Sequence, residues 1–368
     1  MKVYYLSVTS FSDVDLGILH HLSNDIQITY GVVIQKNNAN YSIEELQRYC
    51  ITNNIDFNPF IFRYQQKDPR SFWNFYKIIK TIKKSNPDLI YIVSFDHIIF
   101  STLSLLLSKE KTIIALHDVE FHSNAAHKRV LELSRKITMS HFRKFQVFSG
   151  IQESIFKRLF PRKKIKTIPL PLKDFGEADK LNDHSEIIRF LFFGNILPYK
   201  GLNLLLQALT SIEQANPKTK FELVVAGRCD NWSSHYEHIV KSKSFVKKFI
   251  RFIKNEEIAG FFTEADYLIL PYLDATQSGP LKIAFNYNVP VIASDLQSFQ
   301  EEIVHDVDGY LFRSGNADDL TSVLSTVLNN HKNDYLRIKE AQRIYVRSKY
   351  SETALKQNFL DLFRSTEF

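Results

Sequence analysis

Cysteine is nearly absent from this chain of 368 residues, which has two, Cys50 and Cys229. Neither stands at metal-ligand spacing, so a disulfide framework is excluded and a reducing compartment is expected. Long apolar runs are missing as well. No window approaches the roughly 18 uninterrupted apolar residues of a spanning helix. The longest run, near 98–107, is broken by serines and closes in Lys109-Glu110-Lys111. The opening residues, Met1-Lys2-Val3-Tyr4-Tyr5-Leu6, run straight into a strand pattern without a signal-peptide layout. The expected location is the cytoplasm, with peripheral attachment to the inner face of the cell membrane left open. No low-complexity segment, no internal repeat, no nucleic-acid module motif and no aspartate pair suited to clamping a metal is found.

What is present is apolar and aromatic. The composition is 44% hydrophobic and 13% aromatic, enough for the packed cores of two domains of ordinary size. The formal charge of +7 is unevenly placed. Residues 128–166 carry twelve Lys and Arg against Glu132 and Glu153 alone. Such a segment can face anionic lipid, nucleic acid or only solvent. With no module motif beside it, nucleic acid is the weakest of these and no nucleic-acid partner is expected.

Strand and helix patterns alternate along the whole chain, which predicts α/β architecture with doubly wound parallel sheets. Strands are expected at 2–9, 26–34, 56–63, 88–95, 111–117, 145–149, 164–172, 187–193, 221–227, 249–253, 267–270, 289–294 and 309–312. The segment 173–184 is polar and aperiodic and reads as a linker. Two domains follow, 1–172 and 187–345, joined by a linker over 173–186. Two further helices are expected near 332–348 and 352–365.

The segment 266–303 organises the second half. Tyr267 to Leu270 reads as a strand buried on both faces. A polar loop, Asp274 to Gly279, is followed by an apolar helix with Pro280 in its first turn and by a second buried strand. Backbone N–H groups at such a helix N-terminus suit a phosphate; an ordinary βαβ unit that binds nothing has the same pattern. In the first half, His117-Asp118-Val119-Glu120-Phe121-His122 ends a strand at the edge where ligands bind in open α/β sheets.

The segment also resembles the nucleotide-sugar site of the GT-B glycosyltransferases, family 4 in particular. Asn288-Val289-Pro290-Val291-Ile292-Ala293-Ser294 is similar to the family's Gly-x-Pro-Val segment. Phe299-Gln300-Glu301 is similar to its Pro-Glu turn, and Asp308-Gly309-Tyr310-Leu311-Phe312 to the strand after it. Lys200-Gly201 matches the family's Lys-Gly, with Asn195 at its Arg position. The family's paired glutamates fall on Ala275 and Ile283, where no side chain can replace a carboxylate. The resemblance is clear over about 187–330 and weak over the first 170 residues.

The resemblance implies two Rossmann-like domains facing a central cleft, with the last helix, 346–368, crossing back to the first domain. It implies a sugar transferred from a nucleotide diphosphate sugar to a hydroxyl of a lipid-linked or cell-surface glycan. Retention of configuration, no metal and no cofactor beyond the donor go with it. His117 and Lys200 are then the catalytic candidates. Asn195, Arg228, Lys254, Thr276, Gln277, Ser278, Gly279, Leu281 and Glu301 are expected on the donor. Ser10, Asp13, Asp118 and His122 are expected on the acceptor side, and an anionic membrane surface is the expected partner of the basic segment. Loss of the two glutamates leaves a second reading open, a GT-B-fold binding or scaffold protein without catalysis.

Overall fold

A computed structural model describes residues 1–34, 41–62, 68–93, 96–120, 127–178 and 187–365. Two compact units divide the chain. One holds residues 1–171 and 352–368, the other residues 172–351.

In the first unit seven strands pair in parallel. They are β1 (Lys2–Val8), β2 (Gln27–Ile34), β3 (Asp56–Ile61), β4 (Leu89–Val93), β5 (Thr112–Leu116), β6 (Lys144–Val147) and β7 (Lys164–Thr167). Their order across the sheet is β3-β2-β1-β4-β5-β6-β7. The chain winds one way from β1 and the other way from β4, so the switch point lies between those two. The central strands are apolar on both faces because helices cover both. On one face pack α1 (Ser12–Leu22), α2 (Ile43–Thr52) and the final helix, Glu352–Arg364, through Ile18, Leu46, Cys50 and Phe359. On the other pack α3 (Ser71–Ser85), α4 (Ile98–Ser104), α5 (Lys128–His141) and α6 (Gly150–Leu159), through Phe75, Phe100, Met139 and Phe156.

A carboxylate is buried under the first strand-to-helix turn. Asp15 is fully buried and accepts hydrogen bonds from the Tyr5 hydroxyl at 2.8 Å and the Tyr30 hydroxyl at 2.9 Å. Burial is the largest influence on it and raises its pKa from 3.8 to about 7, against the opposing pull of those hydrogen bonds. The folded chain thus holds this proton more tightly than the unfolded chain. The stability it contributes is complete below about pH 4 and is lost as the pH rises through about 7. Asp15→Asn is expected to raise the urea midpoint at about pH 8 and to leave it little changed at about pH 4. A wild-type difference retained in the variant would place the titration elsewhere.

The second unit carries six parallel strands, β8 (Ile188–Phe193), β9 (Phe221–Ala226), β10 (Val246–Phe249), β11 (Tyr267–Leu270), β12 (Val291–Ser294) and β13 (Tyr310–Phe312). Their order is β10-β9-β8-β11-β12-β13, with the switch point between β8 and β11. Its helices are α7 (Leu202–Ala215), α8 (Trp232–His235), α9 (Glu237–Val240), α10 (Asn255–Thr263), α11 (Gly279–Asn286), α12 (Gln297–Gln300) and α13 (Ala317–Tyr350). The final helix of the chain is α14 (Glu352–Arg364).

Three expectations are corrected. The helix expected near 332–348 is part of a longer element, α13, which begins at Ala317. No Gly or Pro interrupts α13, and His331 packs against Tyr267 at 5.7 Å and Tyr335 at 4.7 Å. The strand expected at 249–253 lies three residues earlier as β10. The start of the linker is not free chain. Tyr287, at the end of α11, accepts the Phe175 N–H at 2.8 Å and donates to the Gly176 carbonyl at 2.9 Å. Residues 172–178 therefore belong to the second unit, and residues 179–186 lie outside the described ones. Among the described residues no helix is long and apolar enough to cross a membrane.

Candidate functional site

The switch point of the second sheet is closed by two loops, one after β8 and one after β11. Their approach demands glycine. Gly201 takes φ +69°, and a Cβ there would sit 1.9 Å from the Pro271 carbonyl oxygen. Gly227, at φ +151°, would place a Cβ 2.0 Å from the Gly194 carbonyl oxygen. No side chain fits at either position. The loops are stitched further by the Leu273 N–H, which donates to the Tyr199 carbonyl at 2.7 Å.

Lys200 stands in the short 3₁₀ turn Pro198–Lys200 just before α7. Its side chain is turned inward and the residue is only 8% exposed. Its ammonium lies 5.3 Å from the Tyr272 ring centroid. Among the described residues no carboxylate or hydrogen-bond acceptor meets it. Burial alone lowers its pKa from 10.5 to about 8. A buried cation with no counter-charge is costly unless an anion arrives.

The second loop runs into α11 beside it. A methyl group on Gly194 would lie 3.2 Å from the Lys200 Nζ and 3.6 Å from the Pro280 Cγ. A methyl group on Gly279 would lie 3.2 Å from the Lys173 Nζ. Two ammonium groups thus flank the Gly279-Pro280 start of a helix, Lys200 by Pro280 and Lys173 by Gly279. Lys173 was read as linker; it sits here because Tyr287 fastens the adjoining residues to α11. Polarity and lack of period gave no signal for that, since the fastening tyrosine is over a hundred residues away.

The other donor-side residues divide. Asn195 is exposed on the first loop. The Arg228 carbonyl accepts the Ile196 N–H at 2.8 Å, which brings its backbone to the switch point, while its exposed guanidinium pairs with Asp230 at 2.9 Å. Thr276 and Gln277 are half-buried in the second loop. Ser278 caps α11, its hydroxyl accepting the Leu281 N–H at 3.3 Å. That corrects the expectation for Leu281, whose N–H is taken by the cap.

Lys254 and Glu301 stand on other elements, Lys254 before α10 and Glu301 at the end of α12, whose Ser298 hydroxyl donates to the Ala275 carbonyl of the second loop at 2.8 Å. Lys254 is exposed at the start of α10, beyond the edge strand β10, and pairs with Glu256 at 3.7 Å. Glu301 ends α12, its carbonyl accepting from Tyr345 and Lys349 at 3.4 Å each. Lys282, one residue before the lost second glutamate, is buried. It pairs with Glu302 at 3.1 Å and donates to the Tyr350 hydroxyl, holding α11 to the end of α13. Ile283 is 4% exposed in the apolar core with Leu281, Ala284 and Phe285. Asn288 adopts φ +52°, the left-handed conformation that Asn tolerates best after Gly.

In the first unit His117 follows β5, and its Nδ1 lies 3.0 Å from the Asp118 carboxylate. Its ring meets Phe11 edge-on at 5.1 Å. The loop is held by two residues that sequence reasoning missed. Arg135 of α5, buried, pairs with Asp96 at 2.5 Å and donates to the Asp118 carbonyl at 2.7 Å. Gln152 of α6 accepts the Val119 N–H at 2.7 Å. Ser10 lies in the turn after β1 and Asp13 in the first turn of α1, both half-buried. His122 lies outside the described residues. Nor does 128–166 form one basic face: Arg135 is buried, Lys157 is paired with Glu153, and Lys163 donates to the Phe142 carbonyl at 2.8 Å.

The model of the family described as Glycosyl transferases group 1 matches residues 188–330. This chain carries a group 1 glycosyltransferase domain. No curated protein sequence matches it. Solved structures resemble it along nearly the whole length. A glycosyltransferase from Rickettsia africae has a TM-score of 0.75 at 16% identity, over 99% of this chain and 97% of that one. Anabaena HepE, in complex with UDP and glucose, has a TM-score of 0.73 at 14% identity, over 98% of each chain. A variant of S. aureus TarM, in complex with fondaparinux, alpha-GlcNAc-glycerol and UDP, has a TM-score of 0.70 at 12% identity, over 99% of this chain and 100% of that one. The fold is GT-B, and the group 1 domain makes the chain a glycosyltransferase.

Proposed function

We propose that this glycosyltransferase moves a sugar from a nucleotide diphosphate sugar to a hydroxyl of a lipid-linked or cell-surface glycan, with retention at the anomeric carbon. The observation that carries the reading is Lys200, a buried ammonium without a counter-charge at the switch point of the group 1 domain. The leaving diphosphate is where negative charge develops as the glycosidic bond breaks. Lys200, Lys173 and the Gly279 N–H are the groups placed to stabilise it. With that charge met by lysines, the transfer needs no metal and no cofactor besides the donor. HepE and TarM, with UDP in their structures, make UDP-sugars the first donors to try. Ser10, Asp13 and Asp118 of the first unit are assigned to the acceptor, and His117, its ring held by Asp118, is the catalytic candidate of that unit.

A binding protein that has lost transfer is the second reading, favoured by Ala275 and by the core position of Ile283. Release of nucleotide diphosphate from a panel of nucleotide sugars, with and without a chelator, separates the two. Turnover unaffected by chelation is expected; no turnover with any donor, alongside tight nucleotide binding, would favour the second. Lys173→Ala is expected to raise the donor KM about tenfold, the value of one charge-assisted hydrogen bond, with Lys173→Arg recovering part of it. An unchanged KM in Lys173→Ala would remove Lys173 from the site.

A further inference from the structure

The outer face of α3 is aromatic at one end and basic along the rest. Its inner stripe, Phe75, Ile78, Ile79 and Ile82, is fully buried on the sheet. The opposite stripe begins with three aromatic side chains, Phe72, Trp73 and Tyr76, which are 40%, 68% and 40% exposed. They touch one another, at 5.5 Å between Phe72 and Trp73 and 6.1 Å between Trp73 and Tyr76. The stripe continues with Lys77, Lys80, Lys83 and Lys84, all exposed, and the helix contains no Asp or Glu. Beyond α4, which packs beside α3, Leu105 and Leu106 are exposed; beyond that, α5 exposes Val130 and Leu133. Two exposed acids lie on these elements: Glu132 on α5, between Arg129 and Lys136, and Glu110, paired with Lys109 at 3.9 Å, after Leu106.

Exposed aromatic rings that already pack together lose little freedom when covered, and their polar tips suit a boundary between water and hydrocarbon. A protein partner would also favour aromatics, but lysine is depleted from the buried centre of protein interfaces. A row of lysines whose stems lie along the surface fits instead a broad anionic sheet that needs no shape complementarity. We infer that the outer face of α3, flanked by the exposed aliphatics after α4 and on α5, docks on an anionic lipid bilayer, with Trp73 entering the headgroup region and the lysines meeting lipid phosphates. Of the basic segment 128–166, this surface takes in only the exposed residues of α5. It is independent of the sugar-transfer reading, because none of its residues belongs to the donor site.

The test is sedimentation of the whole chain with phosphatidylcholine vesicles, with and without phosphatidylglycerol, across a salt series. Binding is expected only with phosphatidylglycerol and is expected to weaken as salt rises. The other tryptophan, Trp232, is 6% exposed, so a blue shift of emission on vesicles, and its quenching by brominated lipid, reports Trp73. Replacing Phe72, Trp73 and Tyr76 together by Ser, or Lys77, Lys80 and Lys84 together by Glu, is expected to weaken vesicle binding about tenfold or more, with UDP binding unchanged. Four results would overturn the inference: no binding to phosphatidylglycerol vesicles at low salt, equal binding to neutral vesicles, wild-type binding by either triple variant, or binding without any change in Trp73 emission. The last would place the bilayer contact on another part of the chain.

Discussion

Lys200→Ala is expected to lower sugar transfer by at least tenfold while leaving the fold intact. A charge-assisted contact to a phosphate oxygen is worth about 1.5–3 kcal/mol, and each 1.4 kcal/mol is about tenfold. Stability moves the other way. Burial holds the Lys200 pKa down at about 8, below its unfolded value, so the protonated form weakens the fold at every pH below that, and its removal relieves the strain. Lost activity with equal or higher stability therefore separates a lost ligand contact from a damaged core. The same pKa fixes the pH dependence. A bound diphosphate favours the protonated amine, so binding near pH 8 takes up a proton and weakens as the pH rises through that value. Calorimetry in buffers of different ionisation enthalpy measures the uptake, which Lys200→Ala should abolish. Unchanged transfer in that variant would remove Lys200 from the mechanism.

Ile283→Glu is expected to destabilise the protein by about 3 kcal/mol or more and not to tighten nucleotide binding. The family resemblance puts one of the paired glutamates at this position, and restoring it would then be a gain. The structure removes that option. Ile283 is 4% exposed and packed among aliphatic and aromatic side chains of α11 and its sheet, and the adjoining buried cation, Lys282, is already paired with Glu302. A carboxylate introduced there has no partner. Urea denaturation of the variant at neutral pH measures the loss. A variant of wild-type stability that binds UDP more tightly would show that the side chain at 283 reaches the ligand.

Much of the fold is legible from local pattern. Buried apolar runs such as Leu89–Val93 and Tyr267–Leu270, alternating with amphipathic stretches, are enough to specify two parallel sheets. Lys200-Gly201 is legible through its match to the family's Lys-Gly before a helix. What is illegible depends on contacts distant in sequence. Lys173 joins the site only because Tyr287 grips residues 175 and 176. Arg135, counted among surface charges, is a buried brace between Asp96 and the His117 loop. The helix α5 is hidden by its own lysines and arginines, which disguise a short buried stripe. Leu281 offers no free N–H because Ser278 caps the helix, a detail of side-chain rotamer that spacing cannot supply.

The central claim is that the loops after β8 and β11 bind the diphosphate of a nucleotide sugar through Lys200, Lys173 and the start of α11. Calorimetric titration of the protein with UDP, UMP and uridine tests it in a single series. Affinity is expected to fall about tenfold or more with each phosphate removed, and the gap between UDP and uridine is expected to collapse in Lys200→Ala. Equal affinity for all three ligands, or an undiminished preference for UDP in Lys200→Ala, would contradict it.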